Sequence, residues 1–420
     1  MRKKVIEKMI GKTLLLAAAC LLSLPCAGRK ITLRVQSGDC ERENCVVSAD
    51  VSRLKLAATS TVALYEQTAT GLKETASQLY SADSDRHILF WILDGRTPAG
   101  TVRTFVAKSK KASPRGAAMN ADDTQKAIVL KKDGRPVLQY NYAYLDPPPG
   151  ADSAFGRMGG YIHPAWSPEG NVLTCIQPRD HYHHLGIWNP WTRVEYDGQL
   201  YDLWNIGDKK GTVRARSVEE TCSGGVFSGF TALLDHYIFN GGTEKVIMNE
   251  YWKVKTWNVL DGFLWDFESH LLPSTQLPAL LKAYRYAGFG WRGTPEWTKK
   301  NCEMLTSEGK TRPEIDGTNA RWIYVAGSTQ TGRSGLLFMG HPENYSFPEP
   351  LRIWDQNANG GRGDAFINFA PTKNRDWELL PNERYVLKYR VLTFEGGMSA
   401  ERADRLWNDF ANPPAVTVDD

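Results

Sequence analysis

What most constrains this chain is its punctuation. Two Asp-Gly pairs each stand between apolar, strand-like runs. Ala127 to Leu130 and Val137 to Tyr142 flank Asp133-Gly134, while Trp252 to Val259 and Phe263 to Leu271 flank Asp261-Gly262. Asp-Gly between such runs is a hairpin signal, because the tight turn that matches strand twist needs positive φ. Further runs at Ile31 to Val35, Val62 to Tyr65, Ile88 to Leu93, Val102 to Val106, Trp322 to Val325, Gly335 to Met339 and Tyr385 to Thr393 repeat the pattern. Aromatic residues make up 11% of the chain, and 37 Gly and 22 Pro separate the runs, a balance that favours strands and turns over a helical bundle. No repeat of 20–50 residues is present, which excludes a propeller or solenoid.

The expected fold is all-β, in two bodies. Residues 29–111 read as a small β-sandwich and 112–124 as a linker rich in Ser, Pro, Gly and Ala. Residues 125–420 read as a large antiparallel sandwich with a concave face, closed by a short C-terminal helix. Ser399 is placed to cap that helix, and Ala403, Leu406, Trp407 and Phe410 share one of its faces.

Residues 1–28 have the form of a signal peptide: a basic start, an apolar run from Thr13 to Leu24, then Cys26, Ala27 and Gly28 before Arg29. The expected location is therefore the periplasm or envelope. Cys20 and Cys26 stand where a lipid anchor could be attached, although neither has a clean lipidation pattern before it. No later run approaches the ~20 residues of a membrane span. The leader holds five of the 51 basic residues and one of the 47 acidic residues, so the remainder is neutral. That argues against a general nucleic-acid binder. Cys40 and Cys45 bracket a short loop and could bridge in an oxidising compartment.

Chemistry concentrates in a few segments. Four of the eight histidines lie between His163 and His184. Imidazole suits proton transfer near neutrality and metal ligation. In an extended chain His181 and His183 would share a face that His184 does not. Strand alternation likewise puts Asp266, Glu268 and His270 on one face of a second segment. A third segment holds Arg285, Trp291, Arg292 and Trp297 among glycines; a fourth holds Trp354, Asn357 and Arg362 beside a Gly-rich bend. Trp166, Trp188, Trp191 and Trp204 gather around the histidines. Indole faces beside Asn189, Asp202 and Asn205 suit a sugar, whose ring stacks on aromatics while its hydroxyls take polar partners.

His163-Pro, then Asp180-His-Tyr-His-His-Leu-Gly-Ile-Trp188, then Gly288-Phe-Gly-Trp-Arg292 occur in that order. This succession resembles a family of secreted bacterial proteins labelled PmoA-like, with Ile187 and Ala287 departing from its pattern. The label names a methane oxygenase subunit that is a membrane protein, so the name itself is set aside. The resemblance implies a galactose mutarotase-like sandwich, a part in sugar catabolism, and a His acid with a carboxylate base on a concave sheet.

The resulting expectation is an exported carbohydrate-active enzyme, a glycoside hydrolase, lyase or epimerase. His181, His183, Glu268 and Asp266 are its candidate catalytic groups. His163, His184, Trp188, Trp204, Arg292, Trp291 and Trp354 are its candidate substrate contacts. A non-catalytic sugar-binding or scaffold protein is one alternative. A metal-dependent oxidoreductase, with a divalent metal on His181 and His183, is the other. A hydrolase also requires two carboxylates ~5–10 Å apart across the bond, in the cleft of the histidines.

Overall fold

The computed structural model describes residues 29–81, 86–111 and 117–419. The expected signal peptide lies outside them. The protein is all-β, with one short helix near the end of the chain.

In the first body a five-stranded sheet stacks on a three-stranded one. Strands Lys30–Gln36, Val102–Lys111, Ser60–Thr68 and Gly71–Thr75 build the larger sheet, and Arg42–Asp50, His87–Thr97 and Ser77–Ser81 the smaller. Alternate residues point inward, so Ile31, Leu33, Val35, Val47, Trp91 and Phe105 share one core. The fifth strand of the larger sheet, Ala415–Asp419, comes from the far end of the chain and pairs antiparallel with Lys30–Gln36. Cys40 and Cys45 are separate thiols, not the bridge that their spacing suggested. Cys45 is buried in the strand Arg42–Asp50 with its Sγ directed at the Asp409 carbonyl.

Two eight-stranded antiparallel sheets face each other in the second body. One runs Leu351–Ile353, Phe366–Phe369, Gly290–Arg292, Ile187–Trp188, Tyr161–Ala165, Arg135–Asn141, Ala127–Lys132 and Met119–Asp123; we call it the front sheet. The back sheet runs Gly211–Cys222, Phe227–Asn240, Thr243–Trp257, Phe263–Pro273, Tyr385–Glu395, Gly332–Gly340, Trp322–Thr329 and Cys302–Thr306. Between them lies a core with Tyr140, Ile187 and Trp291 from the front and Trp252, Trp265 and Phe267 from the back. Asp133 and Gly134 both have positive φ, as the expected hairpin requires. The expected linker is corrected in part. Met119–Asp123 within it is the edge strand of the front sheet, because Met119 is buried and Ala121 packs on the core.

The helix Ala400–Ala411 is capped by Ser399, whose hydroxyl accepts from the Arg402 amide. It lays Ala403 and Trp407 on the outer face of the back sheet, beside Ile92 and Phe90 of the small sandwich. A buried ion pair, Arg42 with Asp409 at 3.1 Å, joins the small sandwich to this helix. The outer face of the front sheet carries a different set: Tyr161, Trp188 and Phe366, roofed by Leu185, Trp204 and Trp354.

Candidate functional site

Strand alternation decides what the front sheet presents. In Gly290–Arg292, Trp291 turns into the core between the sheets, so Arg292 turns outward. In Ile187–Trp188 the same rule sends Ile187 in and Trp188 out. The histidine segment lies over this outer face. It is a succession of turns rather than the extended stretch expected: the His181 amide donates to the Pro178 carbonyl, and the His184 amide to the His181 carbonyl. Gly186, at φ 67°, lets the chain pass against the Ile162 carbonyl where a Cβ would clash.

The turns bring all three imidazoles together, which overturns the expected separation of His184. Ring centroids of His181 and His184 lie 4.7 Å apart and stacked, and those of His183 and His184 4.7 Å apart at 89°. His184 is buried and stacks on Phe366 at 5.2 Å. Its Nδ1 accepts from Arg292 Nη1 at 3.3 Å, so Nε2 carries the hydrogen of the neutral ring. Burial holds His183 down to about 4, with His181 beside it adding to the effect. Burial holds His163 near the same value, where its Nδ1 meets the Thr174 hydroxyl at 2.8 Å.

The organising residue is Asp180. Its Oδ2 accepts from His181 Nδ1 at 2.7 Å, from Arg292 Nη1 at 3.0 Å and from Asn359 Nδ2 at 2.8 Å. Burial pushes its carboxyl up, but the hydrogen bonds from His181 and Arg292 outweigh that and hold it down to about 2. Asp180 is therefore ionised throughout the neutral range, and a carboxylate only accepts. His181 must donate from Nδ1, which leaves Nε2 as its free nitrogen. Arg292 is almost fully buried; it also bonds Asp364 Oδ2 at 3.2 Å and lies 4.7 Å from the centre of the Trp354 ring. Asn359, in the Gly-rich bend, ties Asp180 to Asp364.

Beside this network an open cavity of ≈ 460 Å³ is lined by His181, Tyr286, Arg352, Trp354, Asp316 and Asp355, with Asn357 and Asn359 at its edge. Arg352 is held by Asp316 at 2.8 Å and donates to the Tyr286 hydroxyl at 3.0 Å, which also accepts from the Trp354 indole. Two carboxylates against one guanidinium leave the lining short of positive charge.

The sequence-based candidates fall into four groups. His181 and Trp354 line the cavity, with His183 and His184 packed behind them. Arg292 belongs to the site but holds Asp180, Asp364 and His184 rather than a substrate. Trp188 and Trp204 are buried, 5.1 Å apart, so they floor the site without offering a free face; Trp291 is core. Asp266 and Glu268 stand apart from the histidines, on the outer face of the back sheet. There Asp266 is clamped by Arg390 at 2.6 and 2.9 Å, and Glu268 meets His270 at 2.8 Å. The expected pairing of these carboxylates with the histidines is corrected: alternation put them on an outer face, but of the other sheet. Sequence reading met Asp180 only inside a family pattern and passed over Asp364, Asn359 and Asp316. The turn signals at Pro178 and Gly360 were the available clue. Among the described residues no three His, Cys, Asp or Glu side chains converge as a metal-ligand set.

Residues 127–408 match the model described as "Family of unknown function (DUF6807)". No curated protein matches the sequence. Among solved structures, an alpha-mannosidase from Enterococcus faecalis V583 is 9% identical with a TM-score of 0.46, covering 93% of this chain and 46% of that one. The chain thus spans about half the length of that structure. A galactose mutarotase related enzyme from Lactobacillus acidophilus is 10% identical with a TM-score of 0.31, covering 66% of this chain and 97% of that one. Likeness at this level assigns no activity.

Proposed function

The chain belongs to the DUF6807 family of unknown function, and from that premise we propose that it binds a neutral saccharide in the His181 cavity and moves a proton on it. The Asp180–His181 pair carries the reading. The Asp180 carboxylate accepts from Nδ1 and fixes the imidazole, leaving Nε2 for the substrate. Trp354 and Tyr286 give ring surface, and Arg352, Asp355 and Asn357 give hydroxyl partners. The two carboxylates in the lining disfavour an acidic sugar and fit a neutral one. Asp316 and Asp355 stand with His181 in the lining, so a carboxylate partner for an epimerase, lyase or hydrolase comes from this cavity and not from Glu268 or Asp266. The basic and apolar leader supports action outside the cytoplasm. Asp180 occupies Nδ1, so proton transfer and metal ligation would both use Nε2 of His181.

The test is to incubate neutral mono- and disaccharides with the protein in deuterated water and follow carbon-bound deuterium by mass spectrometry. Wild-type protein should exchange or eliminate at one carbon, and His181→Ala should not. Equal exchange in the two proteins would remove His181 from the chemistry. Saturable binding without any exchange would favour the sugar-binding alternative.

A further inference from the structure

A larger cleft lies elsewhere, between the outer face of the back sheet and the small sandwich, with a volume of ≈ 710 Å³. The back sheet presents two cross-strand rows to it. Lys253 is opposite Glu268, which is opposite Lys388; Lys255 is opposite Asp266, which is opposite Arg390. The rows hold four cations and two carboxylates, and the carboxylates are already engaged. Asp266 is bonded to Arg390 and to the Trp257 indole, and Glu268 to His270. Asp409, also in the lining, is taken by Arg42, and Asp50 by Ser52.

The cations are engaged unequally. Lys388 reaches out to exposed Glu343, and Lys255 stands 5.0 Å from the centre of the Phe90 ring and 5.2 Å from that of Tyr80. Lys253, half-buried in the same lining, has no carboxylate within ion-pair distance among the described residues. A half-buried ammonium without a direct ion-pair partner favours an anion from outside. The opposite wall adds two features. Phe90 supplies a ring face, and Val46 to Asp50 line the cleft from a strand at the open edge of its sheet, order Arg42–Asp50, His87–Thr97, Ser77–Ser81. Backbone donors and acceptors along such an edge are available to hydroxyl groups.

We infer that this cleft is a second ligand site, for a sugar acid whose carboxylate meets Lys253 and Lys388 while its hydroxyls meet the strand edge. The two sites then differ in charge balance: carboxylates outnumber the guanidinium in the His181 cavity, whereas this cleft has as many cations as carboxylates and leaves Lys253 without a direct ion-pair partner. The inference stands on the cleft alone and does not need the chemistry proposed for the first site.

Saturation-transfer NMR on the full chain tests it, with D-glucuronate as the probe and D-glucose and inorganic phosphate as controls. Glucuronate should bind, weaken at least tenfold in Lys253→Met and in Lys388→Met, and bind His181→Ala as it binds the parent. Glucose should leave the cleft variants and the parent indistinguishable. Glucuronate binding no tighter than glucose, or unaffected in both lysine variants, overturns the site. Loss in His181→Ala alone returns the anion to the first cavity and overturns it equally. Phosphate binding as well as glucuronate with the same lysine dependence overturns the sugar-acid assignment.

Discussion

Acidification from pH 7 to pH 5 should expose the cost of the buried histidines. Burial holds His163 and His183 at about 4 in the folded chain, against an ordinary 6.5. Both stay neutral in the fold while the unfolded chain takes up protons below about 6.5. Their contribution to stability is whole above that pH and is lost as the pH falls toward about 4. Linkage gives a loss of about 2 kcal/mol per histidine by pH 5. His184, held well below its ordinary value by burial, acts in the same direction. Glu349 opposes them. Burial raises it to about 7, with the Tyr389 hydroxyl and Asn344 amide bonded to it. Its folded form gains a proton below pH 7 while the unfolded carboxylate remains ionised, which adds about 2 kcal/mol by pH 5. The parent therefore shows only the difference of these effects, and the informative quantity is a comparison. Urea unfolding followed by Trp fluorescence at pH 7 and pH 5 should show the loss in His163→Gln to be smaller than in the parent by about 2 kcal/mol. An identical loss in parent and variant would refute the assignment of His163 as a buried neutral ring.

Three further outcomes follow from the geometry. Asp180→Asn should lower any His181-dependent deuterium exchange by about 10²–10⁴, the usual worth of general acid–base catalysis, since the amide cannot support a charged imidazole. Arg292→Met leaves Asp364 buried with only Arg362 and the Asn359 amide as partners and should cost about 3–5 kcal/mol in chemical denaturation. Glu250 is wholly buried between the sheets and bonded to His236, Asn189 and Ser269, so Glu250→Ala should cost a similar ~3–5 kcal/mol. A loss under 1 kcal/mol in either denaturation experiment would show that the partners re-pair at little cost.

Alternation and turn chemistry were legible in the sequence because both are local. Asp133-Gly134 turns as its residues demand, and Asp266 and Glu268 share a face that Trp265 and Phe267 do not. Which outer face that is cannot be read from one strand: a sandwich has two, and strand pairing at long range assigns them. The histidines failed for the opposite reason. Their period was read as a strand, whereas hydrogen bonds from His181 to Pro178 and from His184 to His181 curl the segment so that three rings meet. Trp291 and Arg292 were read as one patch although neighbouring side chains in a strand diverge. His236 and Glu250, on the inward and otherwise apolar faces of their strands, were the sequence trace of a polar bolt between the sheets and went unread.

The pairing of Ala415–Asp419 with Lys30–Gln36 has a consequence for how the chain is made. Lys30–Gln36 emerges during synthesis long before Ala415–Asp419, its outer neighbour. Until then its edge is an open template on which a second nascent chain can pair. Packing of the small sandwich against the helix waits for the same moment, since Arg42 finds Asp409 only near the end of the sequence. Completion of the small sandwich thus waits for residues 409–419. A chain cut before Ala415 would leave one edge of the small sandwich bare.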